Sequence, residues 1–241
     1  MVFGTVFGQK SLHISYKVES NFDLNEMKHE QTKSMATMAA AVMSDFEFQL
    51  LIANDESIFK QSKQLVRDDI NPMMYELAAG FCSGNQIWHT KADDSIKRIA
   101  LLNTDPSMVL TLDEKLQWKI TNESKQIGNF TVLKATTTRR LGSYLEEIEA
   151  WFAPNLPYSY GPLGYNGLPG LILEMHRDNV IFKLKEIQEK KVEMKFPESS
   201  KEMTFEKNYY MLDANMAAIK KRGGRNIVRY LSRLLLLPLL T

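Results

Sequence analysis

Four histidines, a single cysteine and several adjacent carboxylates are the side chains of this chain best suited to chemistry. His13, His29, His89 and His176 show no HxH, HxxxH or HExxH spacing, so no helix presents two zinc ligands on one face. Cys82 stands alone, which excludes an intrachain disulfide and a cysteine-based zinc site; its expected state is a half-buried structural thiol. No signature of a nucleophile surrounds it, and no Gly-x-Ser-x-Gly elbow exists. Asp68-Asp69, Asp93-Asp94 and Glu146-Glu147 are adjacent pairs, and neighbours on a strand point to opposite faces, so none is expected to share a catalytic cleft. Met27, His29, Met35, Met38 and Met43 have the ligand types that suit Cu(I), a minor alternative to a methionine-lined apolar surface. No catalytic residue, metal site or cofactor is expected from these patterns.

A second group of residues is notable for backbone geometry. Gly161-Pro162 and Gly167-Leu168-Pro169-Gly170 concentrate glycine and proline in ten residues. Leu-Pro-Gly suits a type II turn, with Pro169 second and Gly170 third at positive φ, after which Leu171-Ile172-Leu173-Glu174-Met175 leaves as a strand. Glycine-rich corners also cradle phosphate when they open a helix, but here a strand follows and the prolines remove amide donors. The expected role is therefore a structural corner that allows close backbone packing. Trp88, Trp118, Trp151, Tyr158, Tyr160 and Tyr165 could line a pocket or simply pack the core.

The elements that must position these residues read mainly as strands. Leu12 to Glu19 alternates apolar and polar residues, with His13 on the outward face. Strand character returns at 46–52, 86–91, 95–102, 107–112, 117–120, 130–135, 147–152, 171–175 and 180–187, with turn residues between. Residues 23–44 suggest a loop and a short helix, 60–79 a loop with short helical pieces and a break at Asn71-Pro72, and 183–195 a solvated charged face. Thr204 is placed to cap a last helix carrying Phe205, Tyr209, Leu212, Met216 and Ile219 at helical spacing. The fold class is mainly β: a single curved antiparallel sheet or half-barrel with one or two packed helices.

Two stretches carry a resemblance to a known family. The first runs from Trp118 to Phe130 and on into Lys134-Ala135; the second holds Ala150-Trp151-Phe152, Gly161-Pro162 and Gly167-Leu168-Pro169-Gly170-Leu171-Ile172. In this order, across about residues 118–175, they resemble the GLPGLI family, exported β-rich proteins of Bacteroidota that are largely uncharacterised. The resemblance implies export and a structural role for the motif residues. The 139–145 stretch looks longer than the short Gly-Arg turn of relatives, so that turn is expected to be altered.

Composition and the chain ends bound what remains. The 241 residues are 44% hydrophobic and 24% charged, with a net charge of +1, which favours a packed domain and gives no global reason to expect nucleic acid. Residues 1–9 resemble the end of a signal peptide, 10–222 read as one β-rich domain, and 223–241 form a basic, leucine-rich tail. In that tail Arg225, Arg229 and Arg233 precede seven residues too few to span a bilayer, which needs about 20. The expectation is a periplasmic or outer-membrane-associated protein, not an enzyme, that holds an apolar ligand such as a lipid or peptide in a curved-sheet cavity. The alternative is an accessory protein of an outer-membrane transport system.

Overall fold

Alternation explains the first strand. In β1, Leu12–Ser20, the side chains of Leu12, Ile14, Tyr16 and Val18 are buried, while His13 is half-buried on the other face and meets Gln49 Oε1 through Nε2 at 3.2 Å. The computed structural model describes residues 11–63, 69–83, 86–93, 95–100, 108–112, 115–141, 144–196, 201–204 and 207. The leader-like segment 1–9 and the tail 223–241 lie outside them. So does the last expected helix beyond its start, where Thr204 Oγ1 accepts from the Lys207 amide at 3.3 Å.

Among the described residues, eleven further strands join β1 in one sheet. They are β2 (Glu47–Ala53), β3 (Glu56–Gln61), β4 (Gln86–Lys91), β5 (Ile96–Ala100), β6 (Met108–Leu112) and β7 (Lys119–Ile127). The chain continues through β8 (Phe130–Leu141), β9 (Tyr144–Ala153), β10 (Leu171–Arg177), β11 (Val180–Glu189) and β12 (Lys201–Thr204). Their order is β12-β6-β5-β4-β3-β2-β1-β11-β10-β9-β8-β7, with β1 joining two antiparallel meanders. The sheet is open, and it is mixed because β12 pairs parallel to β6. Purely antiparallel pairing was the expectation; the parallel edge arises because the chain leaves β11 in mid-sheet and returns at the far edge, too distant for a hairpin.

One face of the sheet carries the core. Tyr16, Phe48, Phe59 and Phe182 meet there, with Phe48 stacked on Phe59 at 5.3 Å and Phe182 edge-on to both. Tyr16 is fully buried, and its hydroxyl donates to the Ile172 carbonyl at 2.6 Å. Two helices pack on one another beside this core: α1 (Glu30–Met43), which buries Ala36, Ala39, Val42 and Met43, and α2 (Pro72–Phe81).

Several local expectations need correction. Residues 56–61 form a strand that the sequence reading does not include, while the helical piece expected within 60–79 is α2. The two-residue turn Asn54-Asp55, both at positive φ, returns the chain onto β2 as the strand β3, burying Ile58 and Phe59. Asn71-Pro72 starts α2 instead of breaking structure, because the Asn71 side chain accepts from the Met73 amide at 2.9 Å and proline suits the first helical turn. The 139–145 turn is short: Leu141 pairs with Tyr144, leaving two residues between β8 and β9. The 183–195 charges begin on the outer side of β11, where Lys183 and Lys185 pair with Glu19 and Glu47.

Replacing Tyr16 with Phe leaves the buried Ile172 carbonyl without its hydroxyl partner. Urea denaturation should show a loss of about 1–2 kcal/mol, and unchanged stability would refute the role given to this bond.

Candidate functional site

The corner between β9 and β10 sits on the inner face. After β9 the chain turns inward; Leu156 O and Tyr160 O accept from the amides of Leu171 and Ile172, so 156–160 runs beside the start of β10. A 3-10 turn at Pro162–Gly164 packs against β3 and β4, and the Tyr160 hydroxyl donates to Asp55 O at 2.6 Å. Trp118 closes the other side, its indole donating to Asn166 O at 2.7 Å. The corner therefore bridges the two halves of the sheet.

The glycines here answer two different demands. Gly164 and Gly167 adopt φ of +70° and +89°, a region costly for side-chain-bearing residues. Gly170 does not share it, so the expected type II turn is incorrect. Its amide bonds Leu168 O at 2.8 Å, which closes a three-residue turn around Pro169. Glycine is required at 170 because a Cβ would lie 2.3 Å from Ala153 O, and at 161 because one would lie 2.6 Å from Ile172 Cδ1. Close backbone packing, expected from the motif, is what the structure shows.

Under the corner lies a polar cluster that sequence reasoning missed. Cross-strand register sets Arg139 on β8 opposite Glu146 on β9, both buried. Tyr165 donates its hydroxyl to Glu146 Oε2 at 2.5 Å, and Arg177 Nε donates to Glu146 Oε1. Arg177 Nη1 reaches Ser83 Oγ at 2.9 Å, and Arg139 lies 4.0 Å over the Tyr165 ring. Burial alone would raise the Glu146 carboxyl, but Arg177 and Arg139 outweigh it and hold the group below the usual carboxylate range. Burial pushes the Tyr165 hydroxyl well up, so it stays a donor. Burial, then repulsion from Arg177 and Arg139, lowers the Arg98 guanidinium to about 9. The available signals were the alternation that puts Arg139 on the face of Ala135, and the Glu146-Glu147 pair, whose two members do face opposite ways.

The outer face of the same strands holds a second cluster. Trp151 is covered by Lys125, 4.1 Å from its ring centroid, and its indole donates to Glu149 Oε1 at 2.9 Å. Lys134 bridges Glu149 and Glu123 at 2.9 and 3.3 Å. Lys125 and His176 both meet Glu174 Oε1, at 2.7 and 2.5 Å. Burial would raise Glu174, but these two partners dominate and bring it down to about 2. Beside this cluster runs a groove of 820 Å³ lined by Lys119, Thr136, Thr138, Glu147, Glu149 and His176, among others.

The motif residues thus divide between the faces. Trp118, Gly161, Pro162, Gly167, Leu168, Pro169, Gly170, Leu171 and Ile172 belong to the corner and its strand. Ala135 packs opposite Ala150 in the core, and Lys134 and Trp151 meet on the outer face. Tyr158 and Tyr160 border a smaller groove of 400 Å³, whereas Tyr165 is buried. Cys82 is fully buried, which pushes its thiol up. Met43 is in the core while Met38 is 46% exposed, so the methionines do not converge on one face. Among the described residues, no group of three or more His, Cys, Asp or Glu side chains could hold a metal.

Two outcomes follow. Gly170→Ala should cost about 3 kcal/mol by overpacking against backbone, against about 1 kcal/mol for Gly128→Ala, where φ is +55° and space is open; equal costs in denaturant titrations would contradict the close-approach argument. Glu174 has a depressed pKa when folded, so its contribution is complete above 4.5 and is lost as pH falls towards about 2. Stability measured across that window should fall less steeply for Glu174→Gln than for the parent chain.

Comparison with known proteins gives a family match over a short stretch and a likeness of fold. Residues 143–174, which span β9, the corner and the first half of β10, match a family described as a protein of unknown function (Porph_ging), found in Bacteroidota. No curated protein matches the chain. The solved structure of PNGF-II in a C2 crystal form is similar at a TM-score of 0.50 and 14% identity, covering 83% of this chain and 32% of that one. Its P21 form gives 0.49 and 14%, covering 81% and 31%. The chain spans about a third of the length of those solved chains, and at this identity the likeness speaks for the fold alone.

Proposed function

We propose that the chain is an exported, non-enzymatic envelope protein of the GLPGLI type that works as an interaction module. On this reading it serves as an accessory of an outer-membrane transport system and presents the outer groove of β7–β10 to a partner protein. The observation that carries the reading is the division of labour between the faces. The inner face, where an apolar ligand would have to sit, is crossed by the corner and filled by Tyr16, Phe48, Phe59 and Phe182. The outer face keeps an open groove with polar side chains at hand. Intact Gly167-Leu168-Pro169-Gly170-Leu171-Ile172 and the Porph_ging match over 143–174 support the family assignment. Export rests on the character of residues 1–9. No helix among the described residues is long and apolar enough to cross a membrane.

A photo-crosslinker placed at Thr138 in the groove should capture one envelope protein in the native host. The same group at Asn25, exposed near the start of α1, should not. Equal capture from both positions would sink the interaction reading, and apolar mass retained in native mass spectrometry would favour the ligand carrier instead. Export is tested separately: the mature protein should begin near Gln9 or Lys10, and a native N-terminus at Met1 would remove that part of the proposal.

A further inference from the structure

The outer groove leaves two opposite charges unanswered. Strand register sets its side chains in two rows across the sheet. Lys119 on β7 lies opposite Thr136 on β8, Thr136 opposite Glu149 on β9, and Glu149 opposite His176 on β10. In the next row Thr138 lies opposite Glu147. All six residues line the groove. Most charges there are already engaged: Glu149 by Lys134 and the Trp151 indole, His176 by Glu174, and Asp178 by partners within the chain. On the neighbouring parts of this face Lys125, Lys183 and Lys185 are likewise paired to carboxylates. Lys119 and Glu147 differ. Both are exposed, and among the described residues neither has an ion-pair partner.

Paired strands lie about 4.8 Å apart and rise about 3.4 Å per residue, so these two charges, two strands and two residues apart, are separated by about 12 Å at the backbone. An extended chain brings side chains four residues apart to one face at about 13 to 14 Å. We propose that the groove docks an extended segment of a partner protein that carries an acidic and a basic side chain four residues apart, the acid meeting Lys119 and the base meeting Glu147. This rests on the interaction reading above and names the chemistry of the partner. The segment crosses β7–β9 obliquely, with the hydroxyls of Thr136 and Thr138 beneath its polar middle. Opposite charges at the two ends fix its direction. They also reject segments of uniform charge, because a like charge brought against either end is repelled.

Amide NMR shifts of the full chain at constant ionic strength, read against three synthetic peptides, test this. Each peptide is capped at both termini and has Thr-Gly-Thr between its end residues, which are Glu and Lys, two Lys, or two Glu. The Glu/Lys peptide should shift the amides of Thr136, Thr138 and Glu147 and bind about fivefold more tightly than either of the others. Lys119→Glu, at an exposed position, should move the preference to the peptide with two lysines, and Glu147→Lys to the one with two glutamates. No binding of the Glu/Lys peptide, equal affinity for all three, or a preference that neither variant moves would overturn the proposal. Crosslinking at Thr138 in the native host separates this from the broader reading. Capture that survives both variants counts against the charge assignment and leaves the interaction reading standing. A parent chain that captures nothing counts against the interaction reading, and the peptide series still decides the chemistry of the groove.

Discussion

Backbone meets backbone at the corner, and most of the molecule is arranged around that approach. Where Gly170 passes Ala153 there is no room for a Cβ, and a Cβ at Gly161 would run into the Ile172 side chain. These contacts seat the 156–170 segment on the inner face, where Tyr160, Trp118 and the 3-10 turn tie it to both halves of the sheet. A twelve-stranded open sheet has no closure of its own to hold its curvature. The corner supplies that constraint from inside.

Strand alternation then sorts chemistry by face. Along β8 to β10, Arg139, Glu146 and Arg177 turn inward, whereas Lys134, Glu149, Glu174 and His176 turn outward. A register shift between Ile172 and Glu174 is part of this sorting: the extra residue lets Ile172 and Met175 both face the core while Glu174 reaches Lys125. Without that bulge the period of two would carry Glu174 onto the inner face together with Ile172.

The two clusters differ in what water does to them. Outer-face pairs such as Lys134–Glu149 sit at partial exposure, where screening keeps individual contributions small and the covering of Trp151 matters as much as the charge. The inner cluster is deprived of water, so each guanidinium needs an acceptor and each lost partner is costly.

Much of the local structure is determined by sequence. Leu12, Ile14, Tyr16 and Val18 define β1 by period alone, the run of short strands with turns between them specifies a β-rich sheet, and Gly161 and Gly170 announce a close approach. What sequence could not settle is long-range. The brief β3 has too few residues for its alternation to stand out, and its place depends on the turn that folds it onto β2. The parallel pairing of β12 joins residues some ninety positions apart. The meeting of Ser83, Arg98, Arg139, Glu146, Tyr165 and Arg177 draws on six separate segments. Periodicity tells which face a residue takes; only tertiary packing decides which other residues share that face at contact distance, because loop lengths and register set those pairings.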